Sequence, residues 1–387
     1  MLRGGETALR RRDPLNAARL FQEAIAAGAI PPPWLPLALA LRALGDAAGA
    51  EAAADQALTR DTRDIRALIL KADLLAVRGR EREAVAFYQA AGRAGRNAAS
   101  LPPGFSSELW RAEGAELKLQ RKFEDALRAA LAAGGFPPGK VSREIEGALD
   151  VLMGRARMTH GGAAGYVQEP TSFFYPGLPQ RQYYERSEFA WIAALESATD
   201  DIRAELAAVL ADEALFAPYV IQAPDQPANH HMLMNDPSWS VFFLMKSGRP
   251  VGDHADRCPR TMAALAEAPL PRIRGHGPNV MFSLLRPGAH IPPHSGIVNT
   301  QLICHLPLVV PGDCALRVGG DIRVWETGKA LIFDDSIEHE AWNRSGEIRV
   351  VLLFEIWRPE IGPAERDAIT LLFEAVEDYG KAGPAQA

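Results

Sequence analysis

The chain has 387 residues, of which 48% are hydrophobic, and this length and composition favour two or three domains with sizeable cores. Its formal net charge of −6 gives no electrostatic reason to expect a nucleic-acid partner. The sequence has no apolar run of 18 residues, no signal-peptide core and three cysteines without a CxxC pair, which predicts a soluble cytoplasmic protein without a membrane anchor.

Residues 1–135 are rich in alanine, leucine, arginine and glutamate at helical spacing, and pairs of positions recur 34 residues apart. The recurring pairs are Gly45 and Gly79, Ala50 and Ala84, Ala54 and Tyr88, and Ala57 and Ala91. Small residues at such positions let the two helices of a hairpin approach closely. The pattern resembles the tetratricopeptide repeat, with a later degenerate unit at 110–133. Such arrays bind a peptide or protein, or act as a spacer or dimer surface, and the sequence leaves these alternatives open.

A break in this pattern follows the helical region. The segment from Gly134 to Gly139 and the pair Gly161-Gly162 predict a linker over residues 136–165, with a short helical piece inside it. An amphipathic helix is then predicted over residues 187–211, because apolar side chains recur there at helical spacing.

From residue 240 the pattern becomes typical of β-strands, with seven short apolar runs separated by Gly, Pro, Asp and Asn turns. The runs cover residues 240–245, 280–285, 302–310, 315–318, 322–325, 330–333 and 348–357. We therefore predict an α+β multidomain protein. An N-terminal tetratricopeptide-like α-helical array is followed, over residues 166–370, by a jelly-roll domain (a double-stranded β-helix, cupin-like) with a helical lead-in and then a C-terminal tail over residues 371–387.

Two histidines and one arginine stand out in the β-rich part. His294 and His339 lie 45 positions apart, each at the edge of a strand-like run, and Arg349 follows ten positions after the second. Two imidazoles are suitable ligands for a ferrous ion. A guanidinium deeper in the same pocket can bind a dicarboxylate cosubstrate. The usual third ligand, a carboxylate two residues after the first histidine, is absent because that position is Gly296. From the residues alone, this is a departure from a three-ligand iron site.

Several ordered motifs together resemble the aspartyl/asparaginyl β-hydroxylase family over roughly residues 166 to 365. The motifs are Phe-Tyr-Pro-Gly-Leu at 174–178, Pro-His-Ser-Gly-Ile-Val-Asn at 293–299, His-Leu-Pro-Leu at 305–308, the long segment 325–343, and Arg349 to Pro359. In that family a glycine replaces the carboxylate ligand, as at Gly296.

The resemblance implies that His294, His339 and Arg349 are the catalytic residues, with the two histidines as the iron ligands. It also implies that Arg349 and Ser283 bind the distal carboxylate of 2-oxoglutarate, and that His305 contacts this cosubstrate near the metal.

The same resemblance places Trp239 beside the cosubstrate and identifies two departures from the family pattern. Ile303 stands where an arginine is common, and Gln301 stands where some members carry another arginine. Both changes affect the expected binding of carboxylates and the choice of substrate, while the histidine pair is unaffected.

The activity implied is that of an Fe(II)- and 2-oxoglutarate-dependent dioxygenase that hydroxylates the β-carbon of an aspartyl or asparaginyl residue in a peptide or protein. Relatives also hydroxylate lipid acyl chains and amino acids. Two alternatives stay open: a catalytically weakened binding or scaffold protein that acts through its helical repeats, and a non-redox metalloenzyme of the cupin type. The repeats themselves suggest a further protein partner.

Five polar residues near the motifs have other expected roles. His290 is predicted to be structural or to face the substrate, because the two prolines that follow prevent a helix that would align it with His294. Asp334 and Asp335 are predicted to form a turn. Glu338 and Glu340 are predicted to point away from the face that carries His339, if this segment is a strand.

Overall fold

The computed structural model describes residues 1–98, 104–159, 165–221 and 233–381. It divides into two compact units, one formed by Met1–Ala129 with the chain from Val376 onward, and one formed by Ala130–Ala375. The domain limits predicted from the sequence stay a prediction. Within the described residues, no helix combines the length and apolar character needed to cross a membrane.

The described part of the first unit is helical. Its helices are α1 Leu2–Arg10, α2 Pro14–Ala26, α3 Trp34–Ala43, α4 Ala47–Arg60, α5 Ile65–Val77, α6 Glu81–Asn97 and the start of α7 Phe105–Ala133. The first six helices pack as successive hairpins. Gly45 and Gly79 form the turns of the second and third hairpins with φ of +80° and +77°, a conformation that favours glycine.

The residues that recur at 34 positions form the core of these hairpins. Ala50, Ala54, Ala84 and Ala91 are fully buried, and Tyr88 is buried beside them. The predicted helical array is therefore confirmed. The predicted degenerate hairpin at 110–133 is wrong, because α7 continues without a break for 29 residues and contains no turn.

The described part of the second unit also contains helices, several of which pack against one face of its larger sheet. The helices are α8 Arg143–Leu152, α9 Ile192–Ser197, α10 Thr199–Leu210, α11 His254–Arg257, α12 Pro259–Ala264 and the first part of α13 Pro363–Lys381. The helix predicted over 187–211 is divided into a 3₁₀ turn, Arg186–Glu188, followed by α9 and α10. Residues 371–381, predicted as part of a tail, are helical.

The strands described in this unit form two antiparallel sheets. They are β1 Tyr183–Tyr184, β2 Ala217–Pro218, β3 Trp239–Lys246, β4 Arg249–Pro250, β5 Val280–Leu285, β6 His290–His294, β7 Gln301–Val309, β8 Cys314–Val318, β9 Asp321–Val324, β10 Leu331–Phe333, β11 His339–Asn343 and β12 Arg349–Trp357. The larger sheet has the order β1-β10-β7-β12-β5-β3-β2, with β4 on β3, and the smaller has the order β6-β11-β8-β9. Two packed antiparallel sheets confirm the predicted jelly-roll, cupin-like domain.

Alternation along β12 explains why the interior between the sheets is partly polar. Leu352, Phe354 and Ile356 point to the helices and join the apolar core there. The intervening residues point to the smaller sheet, and they include Arg349 and Glu355. Strand geometry therefore directs two charged side chains into the interior of the jelly roll.

Candidate active site

A cavity of about 580 Å³ lies between the two sheets. Inward-facing residues of β5, β7 and β12 line one side, and residues of β6 and β11 line the other. All six residues singled out in the sequence line this cavity, namely Trp239, Ser283, His294, His305, His339 and Arg349. The fold therefore brings together side chains that lie up to 110 positions apart in the sequence.

His294 and His339 form a pair because β6 and β11 are neighbours in the smaller sheet. The two residues are partners in the strand register, and their ring centroids are 4.1 Å apart. Nδ1 of His294 lies 2.8 Å from the carbonyl oxygen of Pro292, and Nδ1 of His339 lies 3.1 Å from that of Ile337. A carbonyl oxygen only accepts hydrogen bonds, so each Nδ1 carries the hydrogen and each Nε2 keeps a lone pair.

The electrostatic environment keeps His339 neutral. Burial, together with the neighbouring His294, lowers the pKa of His339 to about 3. Neutral imidazoles with fixed tautomers are the form that binds a metal ion. Within the described ranges, no group of three or more His, Cys, Asp and Glu side chains is placed to hold a metal. The donors present therefore fit a two-histidine site with open positions for other ligands.

Arg349 is the buried cation of the cavity. Its side chain is only 1% exposed, and its Nε has no hydrogen-bond partner among the described residues. One terminal nitrogen donates a long bond of 3.4 Å to the carbonyl oxygen of Ser283, and the guanidinium carbon lies 4.7 Å from the ring centroid of Trp325. Burial lowers the pKa of Arg349 to about 10. A buried guanidinium without a carboxylate partner is costly, so this arrangement suits an anionic ligand.

Further unpaired polar atoms surround this guanidinium. Nδ1 of His305 and Nε1 of Trp325 are buried and have no partner in the part of the chain that the structure describes. The two rings lie 6.0 Å apart between centroids. Burial and the charge of Arg349 lower the pKa of His305 well below its usual range. These donors, with Arg349, fit the carboxylates of a 2-oxo dicarboxylic acid. Trp325 was not predicted as a site residue, because its role depends on a contact with Arg349 that local sequence does not reveal.

Ser283 and Trp239 lie next to this group. The indole Nε1 of Trp239 donates to the hydroxyl of Ser283 over 3.2 Å, and the Trp239 ring centroid lies 6.3 Å from that of His294. Trp239 therefore lies beside the histidine pair, while its bond to Ser283 orients the hydroxyl.

The two departures from the family pattern also lie in the cavity. Ile303 is opposite Glu355 in the register of β7 and β12. Gln301 is 4% exposed, and its Nε2 has no partner among the described residues. This part of the cavity wall thus presents the amide of Gln301, the apolar side chain of Ile303 and the carboxylate of Glu355. None of these positions is an arginine.

The remaining polar candidates lie on the outside or in turns. His290 Nε2 is 2.7 Å from a carboxylate oxygen of Glu340, and the side chains of Glu338 and Glu340 both accept hydrogen bonds from Arg317. The prediction that these glutamates point away from the histidine site is therefore confirmed, and His290 has a structural contact outside it.

Asp334 and Asp335 form the predicted turn, but each also has a second role. Asp334 is fully buried and pairs with Arg358 over 2.6 Å. Asp335 lines the cavity beside Gly296, a position that its sequence context did not predict.

Comparison with known proteins agrees with the motifs and with the cavity that they form. A family model described as aspartyl/asparaginyl beta-hydroxylase matches residues 196–359. The ornithine lipid ester-linked acyl 2-hydroxylase of Rhizobium tropici is 35% identical over 199 residues, which cover 51% of this chain and 67% of that protein. This chain belongs to the aspartyl/asparaginyl β-hydroxylase family.

Other members of the family match over smaller shares of their own length. The mouse aspartyl/asparaginyl beta-hydroxylase is 36% identical over 132 residues, 34% of this chain and 18% of that one. The aspartate beta-hydroxylase domain-containing protein 2 of Xenopus tropicalis is 31% identical over 215 residues, 54% of this chain and 55% of that one. The chain therefore matches about half, or less, of these two relatives.

Solved structures add little to the assignment of the fold. A cupin 2 conserved barrel domain protein from Salinispora arenicola overlaps 38% of this chain and 98% of that chain, at 14% identity and a TM-score of 0.22. The fold assignment therefore rests on the strand order and register.

Proposed function

We propose that the second unit is an Fe(II)- and 2-oxoglutarate-dependent hydroxylase that oxidises an unactivated C–H bond. The observation that carries this proposal is the pairing, in one cavity, of two register-matched histidines with a buried Arg349 whose Nε has no partner among the described residues. Membership of a family whose named relatives are hydroxylases supports it.

Each group of residues has a separate task in this proposal. His294 and His339 would hold the iron through Nε2, because their Nδ1 atoms are engaged by backbone carbonyls. Arg349, His305 and Trp325 would bind the cosubstrate, since they supply a charge and unpaired N–H groups in a water-poor cavity. When bound, iron with 2-oxoglutarate and dioxygen supplies the oxidising chemistry. The protein supplies geometry, charge compensation and exclusion of water.

We propose a peptide or protein as the substrate, hydroxylated at the β-carbon of an asparaginyl or aspartyl residue. The activity for which the mouse relative is named supports this choice. A lipid acyl chain is the second candidate, and the 35% identity to the rhizobial lipid hydroxylase favours it. The helical hairpins of the first unit are proposed to bind a protein partner.

Succinate formation from 2-oxoglutarate by anaerobically iron-loaded full-length protein tests the activity. We expect turnover in the wild type and none in His294→Ala or Arg349→Ala. His290→Ala is the matched control, because this histidine contacts Glu340 outside the cavity. Its turnover should equal that of the wild type.

Two other outcomes would favour the alternatives. Bound iron and 2-oxoglutarate without succinate, in the presence of asparaginyl peptides and of ornithine lipid, would indicate a binding protein. Conversion of a substrate without 2-oxoglutarate or oxygen would indicate a non-redox metalloenzyme.

A further inference from the structure

The cavity continues beyond the residues proposed to hold iron and cosubstrate. Part of its remaining wall is formed by Gln301, Ile303, Leu353 and Glu355 on the paired strands β7 and β12, and we call these four residues the far wall. Glu355 lies six positions after Arg349 on β12, which corresponds to roughly 20 Å along an extended strand. The two charged residues of this strand therefore mark opposite ends of the cavity.

Glu355 is held in place by neutral donors. One carboxylate oxygen accepts a 2.8 Å bond from the backbone N–H of Asn279, and the other accepts a 2.7 Å bond from its side-chain amide. Gly277 approaches the same carboxylate so closely that a Cβ there would lie 3.0 Å from Oε2. These contacts fix the orientation of the carboxylate and leave its charge uncompensated.

Among the described residues, neither hydrogen bond to Glu355 comes from a cationic side chain. Among the described residues of the lining, Arg349 is the only arginine or lysine, His276 is a further titratable group, and Asp335 adds a second carboxyl group. Burial raises the pKa of Glu355 to about 7, as expected for a carboxylate without a cationic partner. Arg349 lies at the other end of the strand, so the far wall lacks a positive charge.

Gln301 indicates independently that this wall binds a ligand. Its side chain is 96% buried, lines the cavity and has no partner for Nε2 in the described chain. A buried amide donor without an acceptor costs free energy, which a carbonyl oxygen of a ligand would offset.

We infer that the far wall recognises a substrate with a cationic group, an ammonium or a guanidinium, bound by Glu355, and a nearby carbonyl oxygen bound by Gln301. An aspartyl side chain is a poor substrate at this wall because the carboxylate of Glu355 would repel it. A basic residue, or an asparaginyl residue adjacent to a basic residue, offers a cation to Glu355 and a carbonyl oxygen to Gln301. The inference rests on the proposed function for the chemistry performed, but the binding itself is measurable without turnover.

Three small probes of similar size test this recognition by titration calorimetry on the full chain. They are the Nα-acetyl amides of ornithine, norvaline and aspartate, which differ mainly in side-chain charge. We expect the ornithine probe to bind about tenfold more tightly than the norvaline probe, since hydrogen bonds to charged groups are the stronger ones. The aspartate probe should bind most weakly.

Glu355→Gln should reduce this preference to about twofold or less while the norvaline probe binds as before. Glu326→Gln is the matched control, because Glu326 is an exposed glutamate of the same unit outside the cavity lining. It should retain the wild-type preference. If Glu355→Gln fails to fold, Ile303→Lys provides the second test, because a cation opposite Glu355 should abolish the preference while the glutamate remains.

Equal binding of the ornithine and norvaline probes by the wild type would overturn the inference. So would tighter binding of the aspartate probe, no binding of any probe, or an unchanged preference in Glu355→Gln. Because these are binding measurements made with and without Mn²⁺ and 2-oxoglutarate, their outcome is independent of succinate formation. A protein that prefers the ornithine probe but forms no succinate would contradict the proposed function alone.

Discussion

The carboxylate of Asp335 occupies the space that a side chain on Gly296 would need. A Cβ at Gly296 would lie 2.1 Å from Oδ2 of Asp335, far inside van der Waals contact. The two residues are also joined through the backbone, since the N–H of Gly296 donates to the carbonyl oxygen of Asp335 over 2.6 Å. A side chain at the position two residues after His294 is therefore in conflict with the present position of Asp335. A carboxylate ligand at this position would require Asp335 to move.

Gly296→Ala should destabilise the protein through this contact. We expect a loss of about 1–3 kcal/mol in the free energy of unfolding, the usual range for overpacking. Urea denaturation of the full chain measures the loss. In the double variant Gly296→Ala, Asp335→Ala, most of the loss caused by Gly296→Ala should disappear, because the new methyl group then has room. If the effects of the two substitutions on the free energy of unfolding are additive, the contact with Asp335 is not the cause of the destabilisation by Gly296→Ala.

Arg349→Met should stabilise the free protein and weaken cosubstrate binding. Removing a buried cation without a carboxylate partner is expected to raise the free energy of unfolding by about 1–3 kcal/mol. The same change should weaken 2-oxoglutarate binding by roughly two to three orders of magnitude, because the bound carboxylate loses its guanidinium. Thermal unfolding and calorimetric titration measure the two effects.

Arg344→Met is the control for this experiment, because Arg344 is an exposed arginine of the same unit outside the cavity lining. It should leave 2-oxoglutarate affinity unchanged. A destabilised Arg349→Met protein with normal affinity would contradict the anion-binding role of Arg349.

Glu355 should make the protein less stable as the pH rises towards neutrality. Burial raises its folded-state pKa from 4.5 to about 7. Since the folded state then binds the proton more tightly than the unfolded state, the stabilising contribution is complete below pH 4.5 and is lost as the pH rises through 7. Asn279 and Ile303, which lie against Glu355, carry no charge, while Asp335 and His276 share the cavity with it.

Urea denaturation at pH values from 4.5 to 8 measures this contribution. The decline in stability of the wild type over this interval should be smaller in Glu355→Gln, and Glu326→Gln should behave as the wild type. Identical pH profiles for wild type and Glu355→Gln would contradict the raised pKa.

The buried ion pair between Asp334 and Arg358 should be essential to the second unit. Both side chains are fully buried and 2.6 Å apart, and Asp334 also accepts a 2.7 Å bond from Gln168. Arg358→Met should cost about 3–5 kcal/mol because it leaves an uncompensated carboxylate in the interior. Asp334→Leu in the same chain should recover part of this loss, as measured by urea denaturation. No recovery would mean that Arg358 acts mainly through its bonds to the backbone.

Local patterns were sufficient to predict the seven apolar strands and the helical hairpins. Alternating and helical periodicities are properties of neighbouring residues, so they are visible in a short window of sequence. The strand β6 was not predicted, because His290 to His294 contains two prolines and a single aliphatic residue. It exists because β11 pairs with it, and this pairing joins residues about 50 positions apart.

The sequence by itself determined which side chains are available for the site, because the motifs around His294, His339 and Arg349 can be recognised one at a time. Only the tertiary structure decided what surrounds them. The contact of Trp325 with Arg349, the position of Asp335 against Gly296, and the far wall of Gln301 and Glu355 all depend on the register of strands that are distant in the chain. A shift of one residue in that register would turn each side chain to the opposite face of its sheet, so the polarity of the cavity is a property of strand pairing.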